Sequence, residues 1–141
     1  MIIPDINLLV YAYNEDAPLH DVAKPWWESC LSNPEPVGLA WAVLLGFVRL
    51  MSNRRVLLEP MSAAEAMGHC RDWLGCANSR ILVPGPSHFD VLADLLSQPI
   101  SANLVTDAHL ATLAIEHQAE LHSNDADFAR FSGLRWKNPL D

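Results

Sequence analysis

The chain has 141 residues, half of them apolar and 18% charged, with a mean hydropathy of +0.10. That is the size and composition of about one folded domain, and it excludes a disordered or low-complexity chain. Seventeen acids against nine bases give a formal charge of −8, so no basic coat for nucleic acid surrounds the molecule. Any phosphate contact must be local or must run through bound cations.

In chain order, residues 1–4 (MIIP) read as a short buried strand ended by Asp5. Residues 6–13 (INLLVYAY) are too apolar for a surface and predict a buried helix leaving that strand. A helix over 20–31 follows, with Trp26 and Trp27 partly inward, and then a second strand at 36–40. Trp41, Leu44, Leu45, Val48 and Met51 repeat at helical spacing. Ser62-Ala63-Ala64-Glu65 fits a capping box that opens a helix running through Trp73 and Leu74. Ile81-Leu82-Val83, closed by Pro84-Gly85-Pro86, is a strand with a turn. Phe89, Leu92, Ala93 and Leu96 form another helical stripe, and a further helix begins between Ser101 and Asp107. A short strand at 119–123 runs into Asn124-Asp125-Ala126-Asp127-Phe128, and 134–136 is a candidate last strand.

Short apolar strands separated by helical stretches predict an α/β fold, three-layer, with a mainly parallel central sheet flanked by helices, in a single domain over residues 1–141. In such sheets ligands bind beyond the carboxyl ends of the strands. Asp5 falls just after the first strand, Asp125 just after the strand at 119–123, and Asp107 near a helix start, where the dipole favours negative charge. Carboxylates gathered on one rim repel one another, and one takes up a proton unless a cation compensates. Hard cations such as Mg2+ and Mn2+ take oxygen ligands, and Mg2+ typically uses one or two carboxylates with waters and phosphate oxygens. Such an ion could hold a phosphodiester, activate a water and offset charge on the leaving oxygen. The plainer reading of any single aspartate is a cap or a turn residue.

Three stretches carry a family likeness. Met1-Ile2-Ile3-Pro4-Asp5-Ile6-Asn7, Asn103-Leu104-Val105-Thr106-Asp107-Ala108-His109-Leu110-Ala111 with Ala114-Ile115-Glu116-His117, and Ser123-Asn124-Asp125-Ala126-Asp127-Phe128 are similar to the motifs of PIN domains. More closely, the chain resembles the VapC-type ribonuclease toxins of bacterial toxin–antitoxin pairs, from Met1 to the closing LRWKNPL at 134–140. The resemblance implies a PIN fold and endonucleolytic cleavage of RNA dependent on Mg2+ or Mn2+. It also implies a homodimer and a cognate VapB-type antitoxin that plugs the acidic pocket. It carries over Asp5 and Asp107 as principal metal ligands, and Asp125 as a third acid acting directly or through water. Asp127 is a secondary candidate, with capping of the turn ahead of Phe128 as its alternative. Asn7 and Asn103 are candidates for orienting substrate or ligands, with cap or turn roles as theirs.

One departure stands out. PIN domains commonly carry a glutamate on the helix after the second strand, yet here that segment reads WAVLLGFVR over 41–49, and no acid lies between Glu35 and Glu59. The expectation is one well-formed metal site, with any second ion completed by the RNA. Glu116 is a poor substitute, because nine residues past Asp107 lies nearly the opposite face of a helix at ~3.6 residues per turn.

The remaining residues are read more plainly. His109 points about 200° around the helix from Asp107, and structural or solvent roles are expected for all six histidines. A metal-free, histidine-dependent ribonuclease would need paired histidines that the spacing does not place. Arg49, Arg54 and Arg55 form the densest basic group and are candidates for RNA phosphate contact beside the metal site. Their alternative is helix-end charge, or for Arg49 burial beside the acids. The five tryptophans are read as core or dimer-interface residues. Cys30, Cys70 and Cys76 form no CxxC and read as idle thiols. No basic leader region precedes Asp5, and the longest uncharged apolar run, 36–48, is shorter than the ~18 residues of a membrane span. No membrane association and a cytoplasmic location are therefore expected. Two rival functions remain open: a phosphatase or phosphoacceptor domain with Asp5 as nucleophile, and a non-catalytic PIN-like module that binds RNA or a partner. The first generally needs a lysine near the phosphoryl group, and the only lysines are Lys24 and Lys137.

Overall fold

β1 (Ile2–Pro4) is flanked by β2 (Val37–Ala40) and β4 (Glu120–His122). β3 (Ser79–Leu82) and β5 (Arg135–Lys137) form the two edges. This computed structural model describes all residues from Met1 to Asp141. The five strands run parallel in the order β3-β2-β1-β4-β5. Every residue of β2 is buried, so both faces of the sheet are covered, as an all-parallel sheet requires.

The covering helices are α1 (Ile6–Tyr13), α2 (His20–Ser32), α3 (Trp41–Met51), α4 (Ala63–Leu74), α5 (His88–Leu95) and α6 (Val105–Glu116). α1 buries Leu8, Leu9, Val10 and Ala12, which is why the octet reads apolar on nearly every side. The core is centred on a stack in which Phe47 meets Trp73 at 4.7 Å and Trp73 meets Trp27 at 5.5 Å. Trp73 Nε1 donates to the Tyr13 hydroxyl at 2.8 Å, so the ring is buried without losing its polar handle. Trp41 is the tryptophan left outside, at 52% exposure on α3.

The expected α/β architecture with a parallel sheet is the observed one. Boundaries differ where an element is half exposed. β3 begins at Ser79, two residues before the predicted start, because Ser79 and Arg80 pair with Val37 and Gly38 through backbone alone. Their polarity hides an edge strand from any reading based on apolar runs. A 3-10 turn (Ala102–Leu104) precedes α6, and Ser62 Oγ accepts the Glu65 amide at 3.1 Å, as the capping box predicts. All three cysteines are free thiols, and no helix is long and apolar enough to cross a membrane.

The strand order positions the site. The chain steps from β1 outward to β3, then returns to the far side of β1 as β4. A crevice opens where such an order reverses, beyond the carboxyl ends of the two central strands. Here those strands are β1 and β4, and they are followed by Asp5 and by Ser123-Asn124-Asp125.

Candidate active site

Asp5 caps α1 and is only 9% exposed. Its Oδ1 accepts the Ile6 amide at 2.8 Å and its Oδ2 accepts the Ser123 hydroxyl at 2.7 Å. Burial raises the pKa of this carboxyl. The two hydrogen bonds oppose the rise and the charge of Asp125 adds to it. Asp107 stands in the first turn of α6, half-buried, with its pKa raised to about 6. Burial is the largest cause, followed by the charges of Asp5, Asp125 and Asp127. Asp107 thus feels the charge of three other aspartates, drawn with it from three remote stretches of chain.

Ser123 is the hub of this rim, and sequence reasoning gave it no role. The residue is fully buried. Its Oγ donates to Asp5 and accepts both the Asp125 amide at 3.0 Å and Asn7 Nδ2 at 3.3 Å. Trp136 Nε1 holds its carbonyl at 3.1 Å. One hydroxyl therefore ties the end of β4 to the start of α1. The only signal was a small hydroxyl residue just ahead of Asn124-Asp125, and its partners lie 116 and 118 positions away.

Asp125 caps the 3-10 turn Ala126–Arg130 by accepting the Asp127 amide at 2.9 Å. Asp127 is exposed and pairs with Arg130 at 3.1 Å. Asn7 leaves its Oδ1 buried without a partner, a polar oxygen with spare capacity beside the acids. Asn103 is exposed and accepts the Ser101 hydroxyl, outside this network. Arg49, Arg54 and Arg55 are exposed and enter none of the ion pairs. The alternative of Arg49 buried beside the acids is therefore corrected: it lies on the outer side of α3, a helix whose inward positions are Val43, Leu44, Gly46, Phe47 and Met51.

The donors at the rim suit a hard divalent ion. All are oxygens, two carboxyls are pushed toward protonation by burial and like charge, and one amide oxygen lacks a partner. No three histidine, cysteine or acidic side chains form a ready-made cage. Mg2+ does not need one, since it keeps waters and commonly takes only one or two carboxylates. α3 adds no acid.

The opposite face of α6 is arranged differently. Glu116 Oε2 accepts the Gly85 amide at 3.0 Å, and its Oε1 is hydrogen-bonded to His88 Nδ1. His88 Nε2 in turn meets His109 Nδ1 at 2.9 Å. A Cβ at position 85 would lie 2.7 Å from Glu116 Oε2, so glycine is what lets the backbone come this close. The sequence reading placed no histidine pair; the structure makes one, in a chain that holds α5 against α6. It accords with the structural role expected of the histidines and with Glu116 facing away from Asp107.

Known proteins match this chain in sequence and in fold. The family model for the PIN domain matches residues 2–134. The chain is 43% identical to Ribonuclease VapC33 of Mycobacterium tuberculosis, covering 99% of both chains. It is 41% identical to Ribonuclease VapC37 of the same organism, over 99% of this chain and 97% of that one. Among solved structures, VapBC2 from Rickettsia felis bound to a promoter DNA fragment superposes with a TM-score of 0.68 at 19% identity, over 98% of each chain. Mycobacterium tuberculosis VapC20, a sarcin-ricin loop cleaving toxin, does so with 0.68 at 21% identity, over 96% of this chain and 99% of that one. With the family model over residues 2–134 and relatives 43% and 41% identical over 99% of its length, the chain belongs to the PIN-domain family, among the VapC ribonucleases.

Proposed function

We propose that this chain is a Mg2+- or Mn2+-dependent endoribonuclease toxin that hydrolyses RNA phosphodiesters and is neutralised by a cognate VapB-type antitoxin. The observation that carries the reading is the gathering of Asp5, Asp125 and Asp127 around Asp107, whose pKa burial and their charges raise, beyond the carboxyl ends of β1 and β4. Asp5 and Asp107 would hold the ion, and Asp125 is the third acid, acting directly or through water. When bound, the ion supplies a Lewis acid and a water of lowered pKa for attack on phosphorus.

The chain's own residues do the positioning. Ser123 fixes one oxygen of Asp5 and the Ile6 amide fixes the other, so the carboxylate has a set orientation before any ligand arrives. Asn7 donates to the Ser123 hydroxyl, and its buried Oδ1 has capacity for an enclosed water that would ligate the ion. Asp127 is steadied by Arg130 and shapes the field at Asp107. Arg54 and Arg55, unpaired on the turn after α3, contact RNA backbone phosphates, with Arg49 and Asn103 as outer candidates. In a chain of charge −8 such local contacts and the ion together overcome repulsion of the RNA. Exposed Trp41 and Leu45 on α3 supply apolar surface for the homodimer. An RNA substrate and the lack of a membrane-crossing helix fit a cytoplasmic site of action.

A non-catalytic RNA- or partner-binding module is the second reading, favoured by the absence of an acid on α3. Incubation of the purified chain with cellular RNA and Mn2+, with and without EDTA, separates the two. Cleavage that needs Mn2+ and stops in EDTA is the expected result. Cleavage that persists in EDTA, or none of any RNA, defeats the proposal; an acid-labile phosphoenzyme would turn the assignment to a phosphoacceptor.

A further inference from the structure

A cavity of about 520 Å3 lies between the end of α5 and residues 130–132, within the ~300–1,000 Å3 range of ligand pockets. Apolar Leu95, Ile100 and Phe131 line it together with polar Asp94, Gln98, Arg130 and Ser132. Apolar side chains combined with donors and acceptors match an unstacked nucleobase, whose faces pack on apolar groups and whose edge hydrogen-bonds. Gln98 supplies both a donor and an acceptor, and Asp94 accepts from a base amino group.

Both walls are continuous along the chain with segments that carry the acidic rim. One wall follows the turn Ala126–Arg130 that Asp125 caps. The other runs from Ile100 through the turn Ala102–Leu104 into α6 and Asp107. Arg130 lines the cavity and also reaches an acid of the rim, with Nη2 donating to Asp127 at 3.1 Å. A guanidinium has five N–H donors, and this bond is the one it makes, so the rest are free for a phosphate.

We propose that this cavity receives one splayed base of the RNA beside the cleaved linkage, with Arg130 holding the phosphate between that base and the acids. The site rests on the endoribonuclease reading and adds to it a basis for choosing where RNA is cut. A base read at its edge confers sequence preference at one position, whereas Arg54 and Arg55 confer affinity without preference.

Two measurements test it together. In the first, the Asp107→Asn chain is photocrosslinked to a random RNA pool containing 4-thiouridine, and the linked residues are mapped by mass spectrometry. Crosslinks at 95–100 or 131–132 are expected; crosslinks confined to other surfaces overturn the site. In the second, wild type and Ser132→Trp, a filling substitution at an exposed position, cleave a random RNA library with Mn2+. The expected result is a base preference at one position next to the cut that weakens at least tenfold in the variant, with raised KM and unchanged Mn2+ affinity. An identical preference in both chains overturns the site and leaves the nuclease reading standing. Crosslinks in the cavity with no cleavage by wild type support the site and defeat the nuclease reading. Absence of RNA crosslinks there, with the cavity shielded only in the antitoxin complex, overturns the site in favour of a protein occupant.

Discussion

Helix α6 carries an acid on each of two opposite faces, and their surroundings are unlike. Asp107 is raised to about 6 by burial and by three other aspartates. Glu116 has a backbone amide on one oxygen and a histidine on the other. Glu116 serves the fold, because a backbone amide and a histidine engage its oxygens and compensate its charge within the chain. Asp5 also has both oxygens engaged, but the charge of Asp125 stands beside it. A carboxylate whose near neighbours are like charges lowers the stability of the folded state until a cation arrives from outside. Under the proposed function, the distinction separates a metal ligand from an architectural acid on one helix, at residues nine positions apart.

Exchanging the two roles gives the largest effects. Asp107→Asn should lower Mn2+-dependent RNA cleavage by about 10²–10³-fold without lowering the melting temperature of the metal-free protein. Glu116→Ala strands the Gly85 amide and His88; the side chains of the His88–Glu116 pair are only 12% and 9% exposed. The cost is about 2–4 kcal/mol, or roughly a 5–10 °C drop in melting temperature for a chain of this size. Cleavage per folded molecule at 25 °C should stay within about twofold of wild type. Loss of cleavage in Glu116→Ala with an unchanged melting curve would invert the assignment.

The same contrast explains what was legible in advance. The position of Asp5 could be read because an apolar octet follows a short apolar strand, and that arrangement has few folds. Glu116 could be set on the far face of α6 from its spacing alone, since helical geometry fixes angle by count. Ser123 could not be read as a hub, because its bonds join residues 116 and 118 positions distant and nothing local marks them. The His88–His109 pair escaped for the same reason: it depends on how α5 lies against α6. The start of β3 was missed because an edge strand is held by its backbone ladder and carries Ser79 and Arg80 there. Local periodicity discloses elements, whereas side chains bridging remote elements become visible only once the sheet order is known.

Ser123 offers a sharper version of the comparison at smaller cost. Ser123→Ala removes the bond to Asp5 Oδ2 and the acceptor for the Asp125 amide, but leaves all four aspartates in place. If the hydroxyl orients a ligand, Mn2+ affinity measured by electron paramagnetic resonance should fall about 10–100-fold. Cleavage should recover substantially at saturating Mn2+. Unchanged affinity would reduce Ser123 to a structural tie, as Glu116 is on the other face.

The smallest expected effect has the most diagnostic sign. Asp107 has a folded-state pKa of about 6 against an ordinary value of 3.8, so the folded chain binds this proton more tightly than the unfolded one. Its contribution is fully present below about pH 4 and is lost as the pH rises toward 6, the reverse of an aspartate in an ion pair. Asp5 is raised in the same direction, while burial lowers His109 and His122 and makes them favour the fold as the pH rises. The wild-type melting curve mixes these trends, and the difference between wild type and Asp107→Asn isolates one. In the metal-free state the variant should gain on wild type between pH 4 and 6 and keep a constant lead above about pH 6.5. Because Asp107 is only half-buried, solvent screening limits that lead to about 1 kcal/mol, or roughly 2–4 °C. Adding Mn2+ at pH 7 should reverse the order, since the ion binds the carboxylate and not the amide. A lead that shrinks with rising pH, or one that Mn2+ leaves untouched, would mean that the aspartates are compensated within the chain after all.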